Sequence, residues 1–250
     1  YEREQFTVPD RSLPSGTPEI AITNWNELRA YQGIPREGFL DDTDTRALRH
    51  GYAACVSYMD AQLGMVMDEL DRLGLRESTI VVMWGDHGYK IGEHGLWCKH
   101  TNFELDTRVP LILSVPGTAS GQSSAALVEM IDVFPTLVAL TGGQLPDALD
   151  GLSLESLLRE PERPHRLAAL SEYRRGKVVG FSMRTEQWRY TEWIHIETRE
   201  IVARELYDHQ NPGLPARNCV EDTGLQELVS DFSRQLGSVA RLDQVPLRHN

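Results

Sequence analysis

The sequence has few cysteines and no long hydrophobic run. Cys55, Cys98 and Cys219 are the only three cysteines among 250 residues, and no two of them have the short spacing of a metal-binding pair. This pattern excludes a zinc ribbon and argues against a disulfide scaffold. No apolar stretch approaches the roughly 20 residues of a membrane-spanning helix, so we expect no membrane partner.

The sequence also lacks a signal peptide pattern and a block of basic residues. It begins with a polar stretch that contains no Met, and we expect it to continue from a longer protein. Its 37 acidic and 25 basic residues give a formal net charge of -12. This balance repels nucleic acid and anionic membranes, so we expect neither as a partner. A polyanionic substrate would therefore need a local cationic site or a bound metal.

Hydrophobic periodicity predicts a long helix followed by a strand. Apolar residues recur at steps of three and four across residues 48–73, which is the spacing of one helical face. Asp42 or Thr43 can cap the start of this helix, and Gly74 can take the left-handed conformation after its end. Residues 79–84 then form an apolar run typical of a buried strand in a parallel sheet.

A second strand and helix follow further along the chain. Residues 109–115 read as a strand and residues 132–141 as a helix closed by Gly142, while the Pro-rich segment before the first helix has room for one short helix near residues 25–31. Strands that alternate with helices indicate an α/β fold with an open sheet.

The texture of the sequence changes after Pro164. Four short runs of aromatic or β-branched residues follow, and they predict an antiparallel meander with a final helix near residues 225–236. We therefore expect two domains: residues 1–165 as an α/β portion, and residues 166–250 as a small antiparallel-sheet subdomain.

The segment after the first predicted strand carries the ionisable groups. Glycines at positions 85, 88, 92 and 95 prevent a regular element there and allow close backbone approach. Asp86 and His87 lie where the strand ends, a place where α/β sheets bind ligands. The two side chains could hold a divalent cation. Equally, Asp86 could cap backbone amides in a tight turn while His87 packs as a neutral ring.

Several motifs occur in the order and spacing of a known family. They are Gly51 to Asp60, Asp86-His87-Gly88, Gly92-Glu93-His94-Gly95, Trp97-Cys98-Lys99, Val109-Pro110-Leu111, Phe134-Pro135-Thr136-Leu137, Ser182-Met183-Arg184 and Glu205-Leu206-Tyr207-Asp208. Together they resemble the C-terminal portion of sulfatases of the iduronate-2-sulfatase type, in the alkaline phosphatase superfamily. The resemblance implies the C-terminal part of an alkaline-phosphatase-like core sheet with flanking helices, followed by the small antiparallel α+β subdomain.

The resemblance also implies roles for particular residues. Asp86 and His87 match two ligands of one calcium ion, and Asp86 is the firmer of the two because many sulfatases carry Asn at the second position. Lys99 matches the lysine that contacts the sulfate group, where an ammonium can neutralise developing charge. Tyr89 matches an aromatic position near the sugar, although it could simply cover the metal. His94 and His100 could either touch substrate or brace the loop.

The nucleophile of such an enzyme is absent from this sequence. Sulfatases convert the Cys or Ser of a Cys/Ser-x-Pro-x-Arg motif to formylglycine, and none of the three cysteines stands in that context. The paired aspartates that complete the calcium site are missing too, since Asp41 and Asp42 precede a helix and read as a capping pair. We expect the N-terminal half of the same enzyme to supply these groups, and this chain alone to be inactive.

The expected function is therefore hydrolysis of a sulfate ester on a sulfated carbohydrate, for example a 2-O-sulfated uronic acid in glycosaminoglycan degradation. Periplasmic, secreted or lysosomal localisation is what the resemblance implies. Two alternatives stay open: a phosphatase or phosphodiesterase of the same superfamily, and a fragment that binds a glycan without cleaving it.

Overall fold

The computed structural model describes residues 1–23, 27–211 and 213–239. Contacts within the chain group it into two units, one of Tyr1–Pro14 with Ile22–Gly117 and one of Ser15–Ala21 with Thr118–Asn250. The domain boundary expected at residue 165 rests on a change in sequence pattern, from helical periodicity to short strand-like runs, and it stays a prediction. No helix in the described ranges is both long enough and apolar enough to span a bilayer.

The first unit contains the predicted long helix, α1, at Asp42–Arg72. Its N-cap is Asp41, whose side chain accepts a hydrogen bond from the Asp44 amide at 2.7 Å, so the cap is the first residue of the Asp41-Asp42 capping pair rather than Asp42 or Thr43. Gly74 follows the helix with φ 69°, the left-handed conformation expected of it. Within this unit a 3-10 turn at Glu27–Ala30 occupies part of the predicted short helix, and Trp25 lies outside the described residues.

Strand β1 (Val81–Trp84) follows α1, but its pairing differs from the prediction. A short ribbon comes next, β2 (Lys90–Ile91) with β3 (Trp97–Cys98), then the one-turn helix α2 (Glu104–Thr107) and strand β4 (Leu111–Ser114). β1 pairs with β4 in antiparallel register, and the expectation of parallel pairing is wrong for these two strands. Parallel neighbours are usually joined by a crossover helix, whereas the chain between β1 and β4 contains the ribbon, a 3-10 turn at Glu93–Gly95 and the one-turn helix α2.

The second unit begins with two helices, α3 (Val133–Leu140) and α4 (Glu155–Arg159). Asp132 immediately before α3 is fully buried. Its carboxylate accepts hydrogen bonds from the amides of Glu129 and Leu152, each at 2.8 Å, and from the Arg166 guanidinium. Asp132 thereby ties the chain on both sides of α4 to the start of α3.

The rest of the second unit is the predicted meander and final helix. Four antiparallel strands run in the order β5-β6-β7-β8, and their bounds are Ala169–Arg175, Val178–Arg184, Trp188–His195 and Ile201–Asp208. Helix α5 (Gln226–Val239) packs Val229, Phe232 and Leu236 into the core formed by one face of this sheet. The antiparallel C-terminal sheet expected from the sequence is confirmed.

Candidate functional site

The turn after β1 is held by close backbone packing. The Gly88 amide donates to the Asp106 carbonyl at 2.8 Å. A Cβ added to Gly88 would lie 1.9 Å from the Leu105 carbonyl oxygen, so only glycine fits there. The turn that carries Asp86 and His87 is therefore pressed against α2.

Asp86 and His87 lie side by side just beyond the end of β1. The Asp86 side chain is exposed, and its Oδ1 accepts from the His87 amide at 3.0 Å. Nδ1 of His87 donates to the Gly88 carbonyl at 2.9 Å, and Nε2 takes no part in that hydrogen bond. This Nε2 lies 3.7 Å from Oδ2 of Asp86. One turn therefore contains both the capping contact and a pair of potential metal-ligand atoms, Oδ2 of Asp86 and Nε2 of His87.

These two ligand atoms fit part of a cation site. Two atoms that each lie about 2.3–2.6 Å from a single calcium ion can be separated by such a distance. Calcium takes about six to eight oxygen-rich ligands, however, and this turn offers one carboxylate and one imidazole. Among the residues that the structure describes, no group of three or more His, Cys, Asp and Glu side chains is placed to hold a metal.

Lys99 follows the ribbon directly, between two residues of unusual backbone conformation. Cys98 has φ 62° and His100 has φ 78°, the left-handed region that side chains other than glycine rarely adopt. Nζ of Lys99 lies 3.7 Å from Oε2 of Glu27, and both side chains are about three-quarters buried. The ammonium is thus partly neutralised by a carboxylate of the same unit.

His100 is close enough to feel two of the other candidate groups. Burial lowers the pKa of His100, and the Lys99 ammonium and His87 lower it further, against the opposite effect of Glu27. The imidazole is consequently neutral at pH 7. His87 and Lys99 therefore both lie close enough to His100 to lower its pKa.

His94 lies in a bracing position. Its side chain is buried, its Nδ1 donates to the Ser12 carbonyl at 2.8 Å, and its ring packs on Phe103 with centroids 5.7 Å apart. The backbone amide of His94 also donates to the Asp10 carbonyl at 3.0 Å. These contacts favour the bracing role over the substrate contact, although the assignment stays a prediction.

Tyr89 packs within the loop as well. Its hydroxyl donates to Sγ of Cys98 at 3.1 Å, and its ring stacks on Tyr52 of α1 at 5.7 Å. Burial raises the pKa of Tyr89, so the hydroxyl stays protonated. Tyr89 thus connects α1 to the strand that precedes Lys99.

Sequence reasoning missed two buried charges in this loop. The Lys90 side chain is fully buried and its ammonium donates to Oδ2 of Asp106, which is also buried. Burial lowers the pKa of Lys90, and the Asp106 carboxylate opposes that change. Nothing local separates these residues from surface charges, because their burial results from the fold around them.

Two models of known protein families match this chain. A family model described as "Sulfatase" matches residues 21–143, and a second, described as "N-sulphoglucosamine sulphohydrolase, C-terminal", matches residues 92–241. The chain belongs to the sulfatase family. Both matches include Lys99 of this sulfatase chain, and the first also includes Asp86 and His87.

Named relatives agree with this assignment. The chain is 31% identical to iduronate 2-sulfatase of Homo sapiens. The alignment has a length of 298 with its gaps, and it covers 89% of this chain and 54% of that protein. It is 33% identical to choline-sulfatase of Rhizobium meliloti, over 72% of this chain and 35% of that protein. The sulfatase chain thus spans about half the length, or less, of these relatives.

Solved structures show the same fold. A 2-O GAG sulfatase superposes with a TM-score of 0.71 at 22% identity, covering 82% of this chain and 46% of the other. The phosphonate monoester hydrolase of Silicibacter pomeroyi superposes equally well, at 0.71 with 25% identity, over 79% of this chain and 42% of the other. The expected alkaline-phosphatase-like fold is confirmed.

Proposed function

We propose that this chain forms the C-terminal portion of a sulfate-ester hydrolase and supplies its sulfate-binding cation. The observation that carries the proposal is the placement of Lys99, which lies between two left-handed residues, next to His100 and twelve residues after His87 in the same glycine-rich segment. The segment from the end of β1 to His100 thus contains one compact cation and two side chains of the kind that bind metals, in a protein whose net charge is -12.

Each side chain has a distinct part in this proposal. The Lys99 ammonium stabilises negative charge that develops on the sulfate or the leaving oxygen. Asp86 and His87 would hold a divalent ion, for which calcium is the family's choice, together with ligands from the N-terminal half. Such an ion, when bound, would neutralise the anionic ester. Neutral His100 can exchange a hydrogen bond with substrate without adding charge. The formylglycine nucleophile belongs to the N-terminal half.

The proposed substrate is a sulfated carbohydrate. Among the similar proteins are one named iduronate 2-sulfatase, one described as a 2-O GAG sulfatase, and one solved in complex with its substrate D-glucosamine-2-N,6-O-disulfate. A 2-O-sulfated uronic acid of a glycosaminoglycan is the specific candidate. Function at such a substrate is consistent with a periplasmic, secreted or lysosomal location.

The test is an assay of an aryl sulfate with calcium present, using this chain alone and this chain mixed with an upstream half that carries a formylglycine-converted cysteine. We expect turnover only in the mixture, because charge stabilisation without a nucleophile leaves slow attack by water. The chain alone should bind calcium weakly or not at all. Turnover by the chain alone would contradict the proposal, and glycan binding without turnover in the mixture would favour a non-catalytic binding module.

The alternative function is hydrolysis of a phosphate or phosphonate ester. The similarity to the phosphonate monoester hydrolase of Silicibacter pomeroyi favours it specifically. An aryl phosphonate and an aryl phosphodiester assayed in parallel with the aryl sulfate discriminate between the two. Rates on either phosphorus ester that exceed the rate on the sulfate would replace the sulfatase proposal.

A further inference from the structure

Lys90 and Asp106 form a buried ion pair beneath the segment that carries Lys99. The two side chains are 0% and 4% exposed, and lysine is almost never fully buried unless it is paired. Lys90 belongs to β2, where it stands directly opposite Cys98 of β3. Lys90 is therefore the cross-strand neighbour of the residue that immediately precedes Lys99.

The same carboxylate oxygen also fixes the chain on the other side of Lys99. Oδ2 of Asp106 accepts from the Thr101 amide at 2.7 Å and from the Thr101 hydroxyl. The hydroxyl oxygen in turn accepts from Nζ of Lys90 at 3.3 Å and from the Phe103 amide at 3.2 Å. Lys90, Thr101 and Asp106 form one connected network, which we call the anchor.

The anchor thus ties down both ends of a strained tripeptide. Cys98 and His100 both have positive φ, and a non-glycine residue keeps such a conformation only where its surroundings determine it. Cys98 is held by pairing with Lys90 in the ribbon, and the chain after His100 is held by the Thr101 amide. Between these two fixed points the backbone sets the direction of the Lys99 Cα–Cβ bond, and so the side of the loop from which the ammonium extends.

A purely stabilising role would not require charges here. Replacing a buried ion pair by apolar side chains of similar volume is often neutral for stability or even favourable. What an apolar pair cannot supply is an acceptor for the Thr101 amide. The Asp106 oxygen therefore orients the backbone at Thr101, and an apolar pair of the same volume would fill the space without orienting it.

We propose that Asp106 is a positioning residue: it holds the Thr101 amide, as the backbone pairing of Lys90 holds Cys98, so that the Lys99 ammonium points at the sulfate, and the Lys90 side chain supplies the buried counter-charge. This inference rests on the proposed function of Lys99. Neither residue touches substrate; both act through the backbone on either side of Lys99.

The test compares two double variants of the native protein that contains this chain. Lys90→Met with Asp106→Asn removes both charges but keeps an oxygen that accepts from the Thr101 amide. Lys90→Met with Asp106→Leu removes the charges and the acceptor together. We expect kcat on an aryl sulfate to stay within about threefold of wild type in the Asn variant and to fall about 10- to 100-fold in the Leu variant, the effect of a misplacement of about 1 Å. KM should change less than kcat in both.

Hydrogen exchange of the Thr101 amide gives a readout that is independent of catalysis. We expect its protection to persist in the Asn variant and to be lost in the Leu variant, while the amides of β6 and β7 stay protected in both. A wild-type protein without sulfatase turnover would defeat the proposed function, and the exchange data would still decide whether the anchor exists.

Three results would overturn the positioning role. They are equal kcat in wild type and the Leu variant, equal losses in both variants, and unchanged Thr101 protection in the Leu variant. Should neither variant fold, exchange in the wild-type protein decides: protection of the Thr101 amide well above that of exposed loop amides supports the anchor, and rapid exchange refutes it.

Discussion

Oε2 of Glu27 lies 3.7 Å from Nζ of Lys99, so the cation proposed to bind sulfate already has a carboxylate partner. An incoming sulfate group must compete with this partner for the ammonium. Glu27 also accepts a hydrogen bond from the Tyr31 hydroxyl at 3.3 Å. Glu27 therefore reduces the positive charge that Lys99 offers to an anion.

We expect Glu27→Gln to lower KM for an aryl sulfate in the native protein by about two- to fivefold, the range of a partly exposed ion pair worth up to about 1 kcal/mol. KM measured at low and high salt checks this, since screening should shrink the difference. Tyr31→Phe is the control, because it removes a hydrogen bond to Glu27 and leaves the charge. A raised KM in Glu27→Gln would show that Glu27 orients Lys99 productively.

Lys99→Ala should lower kcat more than it raises KM, because the ammonium has its greatest effect on charge that develops in the transition state. A loss of about 100-fold in kcat is expected for removal of one such group. Lys99→Arg keeps the charge with a different shape and should lie between the alanine variant and wild type. Steady-state kinetics of both variants decides the matter: an unchanged kcat with a raised KM would reduce Lys99 to ground-state binding.

Gly88→Ala should destabilise the protein by about 3 kcal/mol or more, since the new Cβ would overlap the Leu105 carbonyl at 1.9 Å and force the turn away from α2. Gly64→Ala is the matched control, because nothing lies within 4 Å of its Cβ position in the middle of α1. That substitution should add about 1 kcal/mol through helix propensity. Denaturant unfolding of both variants measures the difference, and equal stabilities would refute the close packing of the turn.

Asp132 should make the free energy of unfolding depend on pH in the acidic range. Burial raises its pKa, but hydrogen bonds from Arg166 and from the Leu152 and Glu129 amides outweigh burial and hold the pKa below the ordinary value of an aspartate. A carboxyl whose folded pKa is depressed contributes stability that is complete above its unfolded pKa. That contribution is lost as pH falls through the lower, folded value.

The measurement is the free energy of unfolding between about pH 6 and pH 2. Asp132→Asn should be less stable than wild type at pH 6 and should lose less stability on acidification, so the two curves converge at low pH. Asp231→Asn serves as the control, because Asp231 is partly exposed and forms a surface ion pair with Arg234 on α5. Parallel curves for Asp132→Asn and wild type would contradict the assigned role.

Local patterns in the amino-acid sequence were sufficient for most elements. The three-to-four spacing of apolar residues predicted α1, and short aromatic runs predicted β5 to β8, because each pattern repeats with the period of its own element. The candidate loop was also identifiable, since its glycines and ionisable groups are contiguous. The resemblance to sulfatases, rather than any spacing, assigned Lys99 its role.

The tertiary structure decided the relationships between distant residues. The antiparallel pairing of β1 with β4, the burial of Lys90 against Asp106, and the approach of Glu27 to Lys99 each join residues that are well separated in sequence. A charged side chain has the same letter whether it is solvated or buried, and a strand has the same period whichever partner it finds. Only the folded chain brings such groups together, because burial and strand pairing are properties of the neighbours that each residue acquires.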